Sequence, residues 1–103
     1  MPEINRKQIM NDSLTTKQIE DSLVYLDGWR YEKKHLIREF EFDTADEVGT
    51  FVQQVAAVSE EANHHPDVTT DDLHITIRLQ SHDAKGVTGR DIELAESIQD
   101  LEP

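Results

Sequence analysis

Leu73-His74-Ile75-Thr76-Ile77-Arg78-Leu79-Gln80 is the stretch on which the fold turns. Along an extended chain Leu73, Ile75, Ile77 and Leu79 face one way, and His74, Thr76, Arg78 and Gln80 face the other. A strand with one apolar and one polar face belongs to a sheet covered on one side only. That side needs helices with an apolar stripe, and the flanking sequence supplies them.

Downstream, His82 lies just past the strand end, and Gly86 marks a turn. Thr88 and Asp91 then form a capping box for a last helix carrying Ile92, Ala95, Ile98 and Leu101 on one side. Upstream, the residues from Asp67 to Asp71 are polar and short, and read as a minor strand. Before them Thr44-Ala45-Asp46-Glu47 opens a longer helix with a capping box, and Val48, Phe51, Val52, Val55, Ala56 and Ala62 recur at helical spacing. Pro66 cannot continue that helix and biases His65 away from helical angles, so His64 and His65 sit where it stops.

Further back, Trp29 to Lys34 and Leu36 to Phe42 read as two strands joined by a tight turn near Lys33-Lys34. Leu36, Phe40 and Phe42 alternate with polar residues, although Arg38 interrupts that face. Thr15 to Leu26 reads as a helix with a Thr15–Gln18 capping box, Ile19, Leu23 and Leu26 on one face, and Gly28 placed to end it. Met1 to about Ser13 is polar and reads as frayed. The sum is one α+β domain over residues 1–103. It has a four-stranded antiparallel sheet with three helices packed on one face, in the order α-β-β-α-β-β-α.

Composition narrows the function classes. The chain of 103 residues is 36% hydrophobic, so its core is economical or shared with a partner subunit. It has no cysteine, which excludes disulfides, thiolate catalysis and cysteine-ligated zinc. No apolar run resembles a signal peptide or spans a membrane, so the expected location is cytoplasmic, without membrane partners. With 22 acidic against 10 basic residues the net charge is −12, which repels nucleic acid. Two readings of the acidity stand: adaptation to high salt, and a simply acidic soluble protein.

The chemistry concentrates in Glu60-Glu61-Ala62-Asn63-His64-His65-Pro66 and Ser81-His82-Asp83. Imidazoles give and take protons near neutral pH, so three of them at element ends suggest acid–base catalysis. Glu60 lies four residues before His64, where a carboxylate would hydrogen-bond one ring nitrogen and fix the tautomer. Three other readings compete: plain surface, a divalent-metal site of Glu60, His64 and His82, and, for Asp91, a mere helix cap. None of the usual spaced metal motifs is present. His35 and His74 read as solvated. Trp29 is either core or the aromatic wall of a ligand pocket. Arg78 reads as pairing with one of the many carboxylates rather than with an anionic ligand.

The spacing Glu60-x-x-x-His64-His65-Pro66, then His82, then Asp91, resembles the pterin-4a-carbinolamine dehydratase family. The run His82-Asp83-Ala84-Lys85-Gly86-Val87-Thr88-Gly89-Arg90-Asp91-Ile92 is similar to that family's motif, as are Gly28-Trp29 and Phe40-x-Phe42. The resemblance covers about Thr15 to Leu101. It implies the same fold, homodimers or homotetramers, and dehydration of 4a-hydroxytetrahydropterin to quinonoid dihydropterin without metal or cofactor. It implies His64, His65 and His82 as the catalytic set. It implies Glu60, Pro66, Ser81, Asp83, Ala84 and Asp91 as substrate-binding positions, with Trp29 as a candidate wall. Two alternatives remain: a non-catalytic pterin-binding or regulatory module, and an enzyme acting on a molybdopterin-related pterin. The chain departs from the family at Asp72 and Val68, where aromatic residues are usual. Those departures bear on pterin stacking and oligomer contacts more than on the acid–base step.

Overall fold

A computed structural model describes residues 12–101. The segment expected to fray lies outside the described residues up to position 11. By Leu14 the chain is already tied down, its N–H donating to the Val87 carbonyl at 2.8 Å. The elements are α1 (Thr16–Leu23), β1 (Arg30–Glu32), β2 (His35–Glu41), α2 (Ala45–Ala62), β3 (Asp67–Asp71), β4 (His74–Leu79) and α3 (Gly89–Gln99). Among the described residues three helices and four strands stand in the expected order. The sheet is antiparallel throughout, with strand order β1-β2-β4-β3.

Register decides what each face carries. Leu36 lies opposite Leu79, Arg38 opposite Ile77 and Phe40 opposite Ile75, so these six share the helix-covered face. Leu36, Phe40, Ile75, Ile77 and Leu79 join one buried cluster with Ile19 of α1, Phe51 and Val55 of α2, and Leu94, Ala95 and Ile98 of α3. Each of these side chains except the smaller Ala95 contributes roughly 1.5–3 kcal/mol when fully removed from water. The Phe51 ring sits 4.7 Å from that of Phe40 and 5.2 Å from that of Phe42.

Arg38 is the exception on the covered face. It is buried with its guanidinium 4.5 Å over the Phe40 ring, and its stem helps fill the layer. Burial pushes its pKa down, and the Asp27 charge works against that. Gly28 makes room for it: a Cβ there would come within 2.9 Å of Arg38 Nε, and Gly28 itself adopts φ +84°.

Both hairpins use two-residue turns. Lys33 and Lys34 both adopt positive φ (50° and 64°), the combination that matches strand twist. Asp72, with φ 54°, makes the turn between β3 and β4.

Two element ends differ from the sequence reading. Helix α1 stops at Leu23 rather than Leu26, because Tyr25 and Leu26 donate to the carbonyls three residues back and tighten the chain. Gly28 therefore turns the chain into β1 instead of ending the helix. At Thr44 only half of the expected box forms. Its hydroxyl oxygen accepts from the Glu47 N–H at 3.2 Å and donates to the Glu47 carboxylate. The boxes at Thr15–Gln18 and Thr88–Asp91 are complete. No helix among the described residues is long and apolar enough to cross a membrane.

Candidate functional site

The site begins where α2 ends. Asn63 takes a left-handed conformation (φ 52°, ψ 40°), which few residues besides glycine and asparagine adopt readily. The His64 N–H then closes back onto the Ser59 carbonyl at 3.0 Å, so the chain reverses at that residue. His64 is no longer a helical residue. Its partner is not Glu60, which stays exposed on the helix, but Asp91 at the start of α3: His64 Nε2 lies 2.5 Å from Asp91 Oδ1. The sequence expectation of a Glu60–His64 pair fails because that pair needs the helix to run through residue 64.

Asp91 is fully buried and satisfied by three donors. Its Oδ2 accepts from the Thr88 N–H at 2.9 Å and from Ser81 Oγ at 2.8 Å, while Oδ1 takes His64. Because Ser81 gives its hydrogen to Asp91, the 2.7 Å contact between Ser81 and Thr88 runs from the Thr88 hydroxyl to Ser81 Oγ. The helix cap and the histidine anchor are thus one carboxylate: the capping reading of Asp91 holds, and the structure adds His64 as a partner that the sequence reading did not give it. A carboxylate acceptor requires the hydrogen on His64 Nε2, which leaves Nδ1 as that ring's basic atom.

His65 and His82 share a different space. They face a cleft of about 300 Å³ that also takes Pro66 and Asp67 from the start of β3. The sheet completes it with His35 from β2, Arg78 from β4 and Gln80 just beyond β4. His65 and His82 are both exposed, whereas the His64 side chain is only 10% exposed and lines a smaller cavity beside Arg90 and Leu94. The three histidines therefore divide, two on the open cleft and one anchored behind it. Glu60, His64 and His82 are not gathered as a metal site. Among the described residues no three histidine, aspartate or glutamate side chains are placed to hold a metal ion.

The remaining candidates fall as follows. Ser81 is buried on Asp91, so its side chain braces the site. Asp83 accepts from Arg90 at 2.8 Å, and that guanidinium holds its carboxyl below the usual range. Ala84 donates its N–H to the Ser81 carbonyl and shapes the turn after β4. Trp29 is in the core rather than on the cleft wall, and its indole N–H is buried without a partner among the described residues.

Sequence reading missed His35 and Arg78. His35 is not merely solvated: it lines the cleft, and its Nδ1 lies 2.7 Å from the Lys33 carbonyl. Arg78 pairs with no carboxylate among the described residues, contrary to expectation. His74, also read as solvated, is held between Glu41 (2.5 Å) and Glu39 (2.9 Å). The available signal was alternation in β2 and β4, which places all three on the uncovered face.

Comparison with known proteins bears on the family and the fold. Residues 12–101 match the family described as Pterin 4 alpha carbinolamine dehydratase. A curated protein of Christiangramia forsetii, named "Putative pterin-4-alpha-carbinolamine dehydratase", is 36% identical over 92 residues, covering 89% of this chain and 95% of that one. The crystal structure of a transcriptional coactivator/pterin dehydratase from Brucella melitensis superposes with a TM-score of 0.85 at 26% identity, over 89% of this chain and all of that one. A pterin dehydratase-like protein described as a RuBisCO assembly factor in the alpha-carboxysome shares the fold, with a TM-score of 0.59 and 20% identity over 71% of this chain and 84% of that one.

Proposed function

The chain belongs to the pterin 4 alpha carbinolamine dehydratase family, and on that premise we propose that it dehydrates a 4a-hydroxytetrahydropterin to quinonoid dihydropterin. The observation that carries this reading is the cleft holding His65 and His82 together, with His64 fixed beside it by a buried carboxylate. In the reaction an imidazolium gives its proton to the 4a-hydroxyl, and the carbon–oxygen bond breaks as water leaves. A neutral imidazole takes the proton from the neighbouring ring nitrogen, and its electron pair forms the new carbon–nitrogen double bond. One proton is given and one taken, so the histidine pair ends with its total proton count unchanged. Two imidazoles at the mouth of one cleft, in opposite protonation states, suit both transfers. The resemblance carries His64 into the same set. Its fixed tautomer makes it the orienting member, with Nδ1 as its available atom.

Ser81 and Asp91 serve this proposal as the frame for His64. We assign the pterin ring to the cleft that Pro66 lines with His65 and His82, and the resemblance is what carries Glu60, Asp83 and Ala84 into its binding. Homodimers or homotetramers complete the proposal, with light scattering as their check.

The test follows the loss of 4a-hydroxytetrahydropterin absorbance with purified protein. The protein accelerates it over the spontaneous rate, and His65→Ala and His82→Ala each slow it at least about tenfold, the low end of acid–base contributions. Unaltered turnover in both variants would sink the reading. Pterin binding without any dehydration would instead assign the chain a non-catalytic role.

A further inference from the structure

The cleft carries more cationic chemistry than dehydration uses. His65 and His82 suffice for the proton transfers, yet His35 and Arg78 line the same cleft from β2 and β4. Other described arginines are engaged: Arg30 with Glu32 and Glu39, Arg90 with Asp83, and Arg38 over the Phe40 ring. Arg78 is half-buried and makes no hydrogen bond or ion pair with any described residue. It does so in a chain of net charge −12, with Asp67 directly opposite it in the β3–β4 register. A partly desolvated guanidinium in a concavity, with a carboxylate nearby but no ion pair made among the described residues, gains from an anion delivered to it.

His35 is placed to help. A carbonyl only accepts, so the Lys33 contact puts the hydrogen on His35 Nδ1 and leaves Nε2 available to a ligand. Ile37 is the register partner of Arg78 and Leu36 that of Leu79, so His35 stands diagonally across from Arg78 on the same face. Diagonal neighbours sit about 7–8 Å apart, a gap that two side chains of this length close onto one anion.

We propose that the substrate's pterin ring bears an anionic side chain, best matched by a phosphate monoester, held by Arg78 and His35. This rests on the pterin reading above and adds a substrate class to it. Arg78 offers the planar fork that fits phosphate oxygens in pairs, and His35 Nε2, an acceptor in the neutral ring, becomes a second and cationic donor only when it carries a proton. A cleft of about 300 Å³ is at the small end for such sites, so ring and phosphate together fill it. Among the described residues Asp67 is the one acidic residue lining the cleft, and it opposes the anion.

Fluorescence titration with 6-hydroxymethylpterin, its phosphate monoester and 6-carboxypterin tests the proposal. The phosphate ester binds at least about tenfold more tightly than the alcohol, the scale of one charge-assisted hydrogen-bond pair. Arg78→Gln brings that ratio to near unity, and Arg78→Lys restores part of it. Asp67→Asn raises the ratio, a change of opposite sign that misfolding does not mimic. Equal affinity of the native protein for ester and alcohol overturns the proposal, as does a preference that survives Arg78→Gln. An equal gain for 6-carboxypterin upholds the anion and overturns the phosphate. Turnover is scored separately. A phosphate preference without dehydration overturns the dehydratase reading and leaves this one standing; dehydration without the preference does the reverse.

Discussion

Asp91 has two jobs, and they pull on different oxygens. Oδ2 closes the α3 capping box and takes the Ser81 hydroxyl, while Oδ1 takes His64 from the end of α2. A fully buried carboxylate is tolerable only because every donor around it is aimed at it. Asp91→Asn keeps the size but puts an amide where three donors converge, so at least one is left facing another. We expect a loss of about 1–3 kcal/mol, the cost of a buried polar group left unsatisfied, measured by denaturant titration. We also expect slower dehydration, because His64 loses the acceptor that fixes its tautomer. A variant as stable and as active as the native protein would contradict both roles. The first half of this arrangement was legible, since Thr88-x-x-Asp91 is a capping spacing. The second half was not, because nothing local to Asp91 points to a histidine 27 residues away.

Among the elements, the uncovered sheet face is laced by charge rather than by apolar contact. Arg30 bridges Glu32 and Glu39, and His74 lies between Glu39 and Glu41. Glu41 first, then Glu39, push the His74 pKa up, while Arg30 and then His74 hold that of Glu39 down. A raised histidine pKa stabilises the fold fully below its unfolded value, about 6.5, and that contribution fades as pH rises through the folded value. A lowered glutamate pKa stabilises above its unfolded value, about 4.3, and fades as pH falls through the folded one. The two overlap between those limits. The Tm difference between the native protein and His74→Gln should therefore be widest there and shrink toward alkaline pH. It should be small throughout, because these groups meet solvent. A difference that grows toward alkaline pH would refute the assignment. Alternation in β2 and β4 showed which residues share this face; pairing them required the Glu41–His74 register.

Charge is also the property that acts on the molecule as a whole. The imbalance of 22 acidic against 10 basic residues makes the surface repel itself, and salt screens that repulsion over about 10 Å at 0.1 M and 3 Å at 1 M. If the acidity is an adaptation to concentrated salt, Tm should climb steeply between low and molar salt. A flat dependence in sodium chloride would count against it. The sequence by itself determined the order of elements, the one-sided sheet and the histidine positions at element ends. Those follow from periods of 2 and 3.6 residues, from capping pairs and from proline, all of which act over a few residues. Only the tertiary structure decided how the histidines divide. The left-handed Asn63 turned His64 off the helix and onto Asp91, leaving Glu60 behind. The β2–β4 register brought His35 and Arg78 into the cleft with His65 and His82. Both depend on contacts between residues far apart in the chain, where local pattern carries no information.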